Sequence, residues 1–252
     1  MYSGRTKTKN EGNIKTMGDM KSQLAPIGKL RVGVNHGNFL LVQKNPDGSI
    51  RGIVADLAAD LGRRLGVTVE FIHYPGAGQL ADSAASGACD VAFLGAEPQR
   101  AQEIQFTDAY LEIPATYLVP AGSPIRSLGE VDRKGVRIAV SAKAAYDLYL
   151  SRNIKNAELV RAEGIQGSYD LFVGKKLDAL AGLKARLLSD VETLPGARIL
   201  DGQFTSVQQA VGTPKGHGGA DYLRGFVADI KKSGLVAKLI EKHGARGTNA
   251  AP

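Results

Sequence analysis

The chain has 252 residues, of which 43% are hydrophobic and 23% charged, which is ordinary for a soluble globular protein and sufficient for two lobes. No apolar run approaches the roughly 18 residues that span a bilayer, so we expect no stable membrane insertion. The net charge of +7 is located at the two ends of the chain. Residues 1–27 carry five basic and two acidic side chains, and residues 231–252 carry five basic and one acidic. Because the part of the chain between them is neutral, we expect no nucleic-acid partner.

The first 27 residues are polar and contain no apolar core of the kind that a secretory signal needs. We expect this leader to be disordered. Two interpretations of the compartment stay open. Either a signal was removed or replaced and the protein is periplasmic, or the protein stays in the cytoplasm.

The first half of the chain alternates strand and helix patterns. Apolar runs predict strands, four-residue apolar spacing and alanine-rich composition predict helices, and the Asn-Pro-Asp-Gly-Ser segment predicts a turn. In chain order we expect a strand at 30–35, a turn at 45–49, a helix at 53–65, a strand at 67–74, a helix at 80–86 and a strand at 91–94. This order is typical of a parallel α/β unit.

The second half repeats the alternation. We expect strands at 136–140, 158–163 and from 177, helices from 145, over 168–174 and up to 188, and a further strand at 207–215. The amphipathic segment 222–243 predicts two helices separated at Gly234. Two parallel α/β units therefore follow one another.

Cysteine and histidine usage argues against a metal site. Cys89 is the single cysteine, so no internal disulfide or cysteine metal cluster can form, and we interpret Cys89 as a small buried thiol. The four histidines have no short ligand spacing. The Gly-rich turn at 76–78 is too short for a nucleotide-binding fingerprint. We predict no metal and no cofactor.

The loop after the strand at 91–94 carries the best candidate for ligand chemistry. The strand stops at Gly95, and Glu97 and Arg100 follow just beyond its carboxyl end, where open α/β sheets place ligands. Arg100 is a candidate anion clamp, since a guanidinium is a charged, fork-shaped donor. The alternative is a solvated charge in the first turn of a short helix.

Several motifs in this order resemble one known family. They are LRVGVN, then DG with RGIVADLAADLGRRLGV, then SGACDVAF, then Arg100 with QFTDAYL. Their order and spacing are similar to those of the type II periplasmic solute-binding proteins, specifically the bacterial extracellular solute-binding protein family 3, which serves amino-acid ABC transporters. The similarity covers residues 28–245.

The resemblance implies an α/β fold with two Rossmann-like lobes joined by two hinge strands, called periplasmic binding protein-like II. Residues 28–117 and 212–252 would form lobe 1, and residues 118–211 would form lobe 2. The crossings would lie at 116–119 and 208–212. Hinged lobes can close on a ligand, and the closed cleft excludes water, which strengthens each polar contact.

The resemblance also implies ligand-binding residues. Arg100 matches the arginine that receives the ligand carboxylate. The other matching positions lie at strand ends and at one helix start, where backbone N–H groups favour a carboxylate: Asn35, Asn38, Gly95, Ser141 and Ala145.

One departure from the family pattern concerns the ligand's ammonium group. The carboxylate that pairs with it in the family has no counterpart here, because the strand after Asp178 runs on into Lys184. A buried ammonium without a partner is costly. Either Glu97 replaces that carboxylate, or the ligand is not an α-amino acid. Lys184 at the cleft would favour a second negative group, as in a dicarboxylate.

We therefore expect the substrate-binding component of an ABC transporter, without catalytic residues, that closes on a small carboxylate-bearing solute, either an amino acid or a related organic anion. Its partners would be this anionic or zwitterionic ligand and the transporter permease, and the protein itself would be a monomer. The alternative is an enzyme similar to the cyclohexadienyl dehydratases of the same fold, with Glu97 as general acid. Glu97 could instead cap a helix N-terminus. A ligand-sensing receptor module is a third class, which no attached kinase or membrane segment supports.

Overall fold

The computed structural model describes residues 17–252. Its α-helices are α1 (Met17–Leu24), α2 (Ile53–Leu65), α3 (Ala77–Ser86), α4 (Ala145–Asn153), α5 (Gly164–Gly174), α6 (Lys184–Glu192), α7 (Ala220–Lys232) and α8 (Leu235–Lys242). Its strands are β1 (Lys29–Asn35), β2 (Gln43–Lys44), β3 (Ile50–Arg51), β4 (Thr68–Tyr74), β5 (Val91–Gly95), β6 (Ile104–Val119), β7 (Arg137–Ser141), β8 (Glu158–Ala162), β9 (Ala179–Leu183), β10 (Arg198–Ile199), β11 (Thr205–Pro214) and β12 (Asn249–Ala250).

Two parallel units are linked by a pair of long strands. The order across the hydrogen-bonded path is β4-β1-β5-β11-β6-β9-β7-β8. Strands β4, β1 and β5 run parallel and form the first unit, with α2 and α3. Strands β9, β7 and β8 run parallel and form the second unit, with α4, α5 and α6. Strands β6 and β11 pair antiparallel between them. The fold class predicted from the sequence, two Rossmann-like lobes joined by two strands, is confirmed.

Helix α2 has the bounds that its apolar spacing predicts. Ile53, Leu57 and Leu61 are fully buried, because residues four apart share one face of a helix. The helix ends at Gly66, whose φ of 65° is left-handed. Glycine adopts this conformation without a Cβ clash, and it therefore terminates the helix.

Two helices begin earlier than their apolar patterns predict. Helix α3 starts at Ala77 and α5 starts at Gly164, three and four residues before the predicted starts at 80 and 168. Glycines in the first turns, Gly78 and Gly167, contribute no apolar side chain to the pattern. The first turn of each helix therefore carries a weak periodic signal.

The prediction of a disordered leader is wrong for residues 17–27, while residues 1–16 lie outside the described part of the chain. Met17–Leu24 form α1, which packs on α2. Met20 and Leu24 are buried, and the Lys21 ammonium donates to the Gly66 carbonyl at the end of α2. A short helix with few large apolar residues is stabilised by this packing, which composition does not reveal.

The chain returns to the first unit at its C-terminal end. Helices α7 and α8 are separated at Gly234, as predicted, and α8 packs on α2. Lys242 and His243 both contact the Asp56 carboxylate, at 2.7 and 2.8 Å. Burial alone would raise the pKa of Asp56, but these two hydrogen bonds outweigh it, so the pKa is lowered. Asp56 therefore joins the C-terminal helix to the first unit.

Strand β5 and the cysteine that precedes it are buried, as the sequence predicts. Every residue of β5 is buried, and so is Cys89 just before it, where burial raises the pKa of the thiol. A buried, protonated thiol fits a packing role. Across residues 17–252, none of the helices combines the length and apolar character needed to cross a membrane.

Candidate functional site

A cleft of about 490 Å³ lies between the two parallel units. It is bordered by the carboxyl ends of their strands: Asn35 ends β1, Gly95 ends β5, Ser141 ends β7 and Leu183 ends β9. This volume lies within the range of small-molecule sites. The cleft therefore occupies the position where open α/β sheets bind ligands.

Arg100 connects the two sides of this cleft. It follows β5 in a short 3₁₀ turn, and its side chain is 7% exposed. One terminal nitrogen donates to the Gly95 carbonyl at 2.7 Å in the first unit, and the other donates to the Lys143 carbonyl at 2.9 Å in the second unit. The guanidinium is thus held by neutral groups from both sides.

The charge of Arg100 is retained although it is buried. Burial lowers the pKa of Arg100 to about 10, against the opposing effects of the Glu97 and Asp82 charges. The guanidinium is therefore still protonated near neutral pH. It has five N–H donors and uses two of them on the carbonyls. Within the described residues it has no carboxylate partner, so three donors remain for an anion.

The loop after β7 supplies the opposite wall. Lys143 has a φ of 57°, which is uncommon for a residue with a side chain. Its N–H donates to the Asp147 carboxylate at 2.8 Å, and its carbonyl accepts from Arg100. Ala145 then starts α4, where the first N–H groups have no partner within the helix. Such groups favour an anion in the cleft.

The two predicted asparagines have different surroundings. The Asn35 side-chain oxygen accepts a hydrogen bond from the Gly37 N–H at 2.9 Å, which closes the turn after β1. Asn38 is 8% exposed, and its side-chain oxygen has no hydrogen-bond partner among the described residues. Both residues line the cleft. Of the two, only Asn38 has a side-chain oxygen that is buried and without a partner among the described residues.

Six of the eight residues predicted to bind ligand line the cleft: Arg100, Asn35, Asn38, Gly95, Ser141 and Ala145. Glu97 and Lys184 do not line it. The Glu97 carboxylate accepts from Arg152 of α4 at 2.5 Å, and at the start of α6 the preceding residue, Leu183, contributes to the cleft wall instead of Lys184. Ligand contact by each of the eight stays a prediction.

Polar contacts near the cleft join the two units. Gln79 of α3 donates to Glu163, which follows β8, at 2.8 Å. The Lys143 ammonium lies 3.7 Å from the Asp82 carboxylate of α3. With the hydrogen bond from Arg100 to Lys143, these contacts connect the two walls of the cleft.

The family follows from the sequence itself. The model of the bacterial extracellular solute-binding proteins, family 3, matches residues 30–246. The chain belongs to this family. No curated protein sequence matches it significantly.

Solved structures share the fold of this family 3 protein at low sequence identity. A mutant of ArgBP from T. maritima superposes with a TM-score of 0.74 at 22% identity, covering 91% of this chain and 99% of that one. The L-cysteine solute receptor of Neisseria gonorrhoeae gives 0.75 at 22% identity, with 91% and 93% covered. An ancestral amino acid-binding protein described as a precursor of cyclohexadienyl dehydratase gives 0.73 at 22% identity, with 90% and 99% covered.

Some cleft residues of this family 3 protein had no prediction attached to them. Lys143 and Tyr146 follow β7, Glu163 follows β8, and Gln209 lies within β11. The first three could have been found by applying the strand-end rule to every strand, as was done for β5. Gln209 had no signal, because its position depends on the pairing of β11 with β5.

Gly95 provides a test of closure in this family 3 protein. A Cβ on Gly95 would lie 2.9 Å from a Val207 methyl and 3.0 Å from the Ala145 Cβ in the second unit. Such overpacking costs about 1–3 kcal/mol, so we expect Gly95→Ala to weaken ligand binding about tenfold to a hundredfold by holding the units apart. Calorimetric titration measures the effect.

Gly129→Ala is the matched control, because nothing lies within 4 Å of a Cβ there. We expect it to bind ligand like the wild type. An unchanged dissociation constant for Gly95→Ala would show that the two units do not approach at Gly95 when ligand binds.

Proposed function

We propose that this protein is the substrate-binding component of an ABC-type transporter and that it holds a small carboxylate-bearing solute in the cleft between its two units. Arg100 carries the proposal. Its guanidinium is buried, charged and without a carboxylate partner in residues 17–252, and it retains three N–H donors. A ligand carboxylate would supply the missing negative charge through a charge-assisted pair.

Closure of two hinged lobes would bury that ligand. We propose residues 28–117 with 212–252 as lobe 1 and residues 118–211 as lobe 2. In support, β6 changes partner from β11 to β9 at Ala115, close to the proposed crossing at 116–119. The second crossing, at 208–212, overlaps the segment of β11 that pairs with β5. A monomer acting in the periplasm and presenting its ligand to a permease fits a family of extracellular binding proteins.

The ligands of similar structures agree with a carboxylate. One is a receptor for L-cysteine, and another, from Wolinella succinogenes, is complexed with lysine. Both ligands carry an α-carboxylate. They differ in their side chains, so the carboxylate is the group that the proposal transfers to this chain.

The dehydratase alternative has less support from the geometry. A general acid must come within hydrogen-bonding reach of its substrate. Glu97, the residue proposed for that role, lies outside the cleft lining and is paired with Arg152. Incubation with prephenate or arogenate tests this alternative, and turnover that is lost in Glu97→Gln would support it.

A thermal-shift screen tests the binding proposal. The panel contains amino acids, 2-hydroxy acids, 2-keto acids, simple monocarboxylates and dicarboxylates. A ligand at a hundred times its dissociation constant stabilises the folded state by about 2.7 kcal/mol. For a chain of this size, this corresponds to a rise in melting temperature of about 5–10 °C. If no carboxylate raises the melting temperature, the proposed function is wrong.

A further inference from the structure

Among the described residues that line the cleft, the buried ones include a cation, Arg100, and no carboxylate. Arg100 is buried there, whereas the lining among the described residues contains one carboxylate, Glu163. Glu163 is exposed and already accepts a hydrogen bond from Gln79. A bound ligand would therefore meet a cation and neutral polar groups on the inner walls.

Nearby buried carboxylates are engaged elsewhere and do not line the cleft. Glu97 accepts from Arg152 at 2.5 Å. Asp147 accepts from Arg161 at 3.0 Å and from the Lys143 N–H at 2.8 Å, and Asp190 accepts from Arg186 at 2.7 Å. Turning any of them toward the cleft would break its pair with an arginine, and these carboxylate side chains are only 10%, 4% and 6% exposed, so each would have to find a new partner.

Two neutral groups are buried at the cleft wall. They are the side-chain oxygen of Asn38 and the hydroxyl of Tyr146, and these residues are 8% and 2% exposed. The first has no hydrogen-bond partner among the described residues, and the second has only a contact with the Ser141 hydroxyl that falls outside normal hydrogen-bond geometry. Burial raises the pKa of Tyr146, so its hydroxyl keeps its proton at neutral pH and can donate or accept. Buried groups left without partners cost free energy that a suitable ligand group recovers.

An ammonium does not suit this arrangement. It brings three donors and a positive charge close to Arg100, and the buried acceptors of the described lining, such as the Asn38 oxygen and the Tyr146 hydroxyl, are neutral. A buried charge needs an opposite charge to offset its desolvation. A hydroxyl needs no counter-charge, because it can donate to the Asn38 oxygen and accept from Tyr146.

The rest of the lining is largely apolar, with Leu41, Val42, Val54, Phe93, Leu183 and Val207 around the cleft. Apolar walls favour an apolar remainder on the ligand. Resting on the proposed function, we propose that the ligand is a hydroxy monocarboxylate with an apolar side chain and no ammonium group. This assigns the carboxylate to Arg100 and the hydroxyl to Asn38 and Tyr146.

Matched ligand series test the assignment by calorimetry. The probes are 2-hydroxy-4-methylpentanoate, L-leucine and 4-methylpentanoate, which share a side chain and differ in carrying a hydroxyl, an ammonium or neither. The phenyl series, with 2-hydroxy-3-phenylpropanoate, L-phenylalanine and 3-phenylpropanoate, repeats the comparison. We expect the hydroxy acid of at least one series to bind at least tenfold more tightly than both of its analogues.

Asn38→Asp introduces the missing carboxylate with almost no change of shape. We expect it to reverse the preference, so that the amino acid gains at least tenfold in affinity and the hydroxy acid loses affinity. Asn35→Asp is the control, because it adds the same charge to the same cleft at a side-chain oxygen already bonded to Gly37. It should shift the preference less than Asn38→Asp does.

Tyr146→Phe keeps the proposal testable if Asn38→Asp does not fold. It should lower the affinity for the hydroxy acid at least fivefold and leave the affinity for the simple monocarboxylate unchanged. Tighter binding of the amino acid by the wild type overturns this inference and leaves the proposed function standing. Failure of every carboxylate to bind overturns both.

Discussion

Arg100→Met is expected to abolish binding of carboxylate ligands at the concentrations that saturate the wild type. Loss of one partner from a desolvated, charge-assisted pair costs about 2–5 kcal/mol, which corresponds to an increase in the dissociation constant from about 30-fold to several thousandfold. Calorimetric titration with a ligand found by the screen measures this change.

The stability of the ligand-free protein separates a binding role from a structural one. Arg100 is buried against two carbonyls without a carboxylate partner, so its replacement by an apolar side chain of similar length removes two hydrogen bonds but also a desolvated charge, whose removal offsets their loss. We expect the melting temperature without ligand to stay the same or rise. A purely structural arginine would lower it.

Arg137→Met is the matched control for loss of a guanidinium. Arg137 lies at the amino end of β7, where it pairs with Asp178 and donates to the Lys176 carbonyl. This is the end of the sheet opposite the cleft, and we expect unchanged affinity. Wild-type binding by Arg100→Met would exclude Arg100 as the carboxylate clamp.

Gly52→Ala is expected to destabilise the protein by about 3 kcal/mol or more. Gly52 precedes α2 with a φ of 124° and a ψ of 178°, a region that is almost restricted to glycine and costs about 1–3 kcal/mol for other residues. A Cβ there would also lie 2.4 Å from the Leu41 carbonyl oxygen. At about 2–4 °C per kcal/mol, the melting temperature should fall by roughly 6–12 °C.

Gly48→Ala distinguishes the clash from the backbone strain. Gly48 also has a positive φ, 87°, in the turn between β2 and β3, and nothing lies within 4 Å of a Cβ there. We expect Gly48→Ala to lower the free energy of unfolding by about 1 kcal/mol, through backbone strain alone. If both variants lost the same free energy of unfolding, the Leu41 backbone would have to move away from the new Cβ without a free-energy cost. We expect such a backbone movement to be costly.

Local patterns predicted most of the elements of this fold. The four-residue spacing in α2, the glycine that ends it and the continuous apolar run of β5 each depend on a few neighbouring residues. Helix α1 was missed for the opposite reason. Its residues Met20 and Leu24 are buried where α1 packs on α2, which lies about thirty residues further along the chain.

The candidate site was predicted in part. The rule that ligands bind beyond the carboxyl ends of the strands predicted Arg100 as a cleft residue. In the structure Arg100 is buried and lines the cleft. Glu97 was suggested as a partner for a ligand ammonium or as a general acid because its local sequence shows no other partner for the carboxylate. The structure pairs it with Arg152 of α4, which is distant in sequence. Lys184 begins α6 outside the cleft lining, whereas the preceding Leu183 lines the cleft, and ligand contact by Lys184 stays a prediction.

The sequence by itself determined the two parallel α/β units, their family and an arginine beyond the end of a buried strand, because hydrophobic spacing and motif order are properties of the chain. Only the tertiary structure decided which groups meet across the cleft. The Lys143 carbonyl reaches Arg100, and the Asn38 oxygen is left without a partner, because residues far apart in sequence are brought together there. Whether a buried polar group is paired depends on that three-dimensional arrangement and on no single segment.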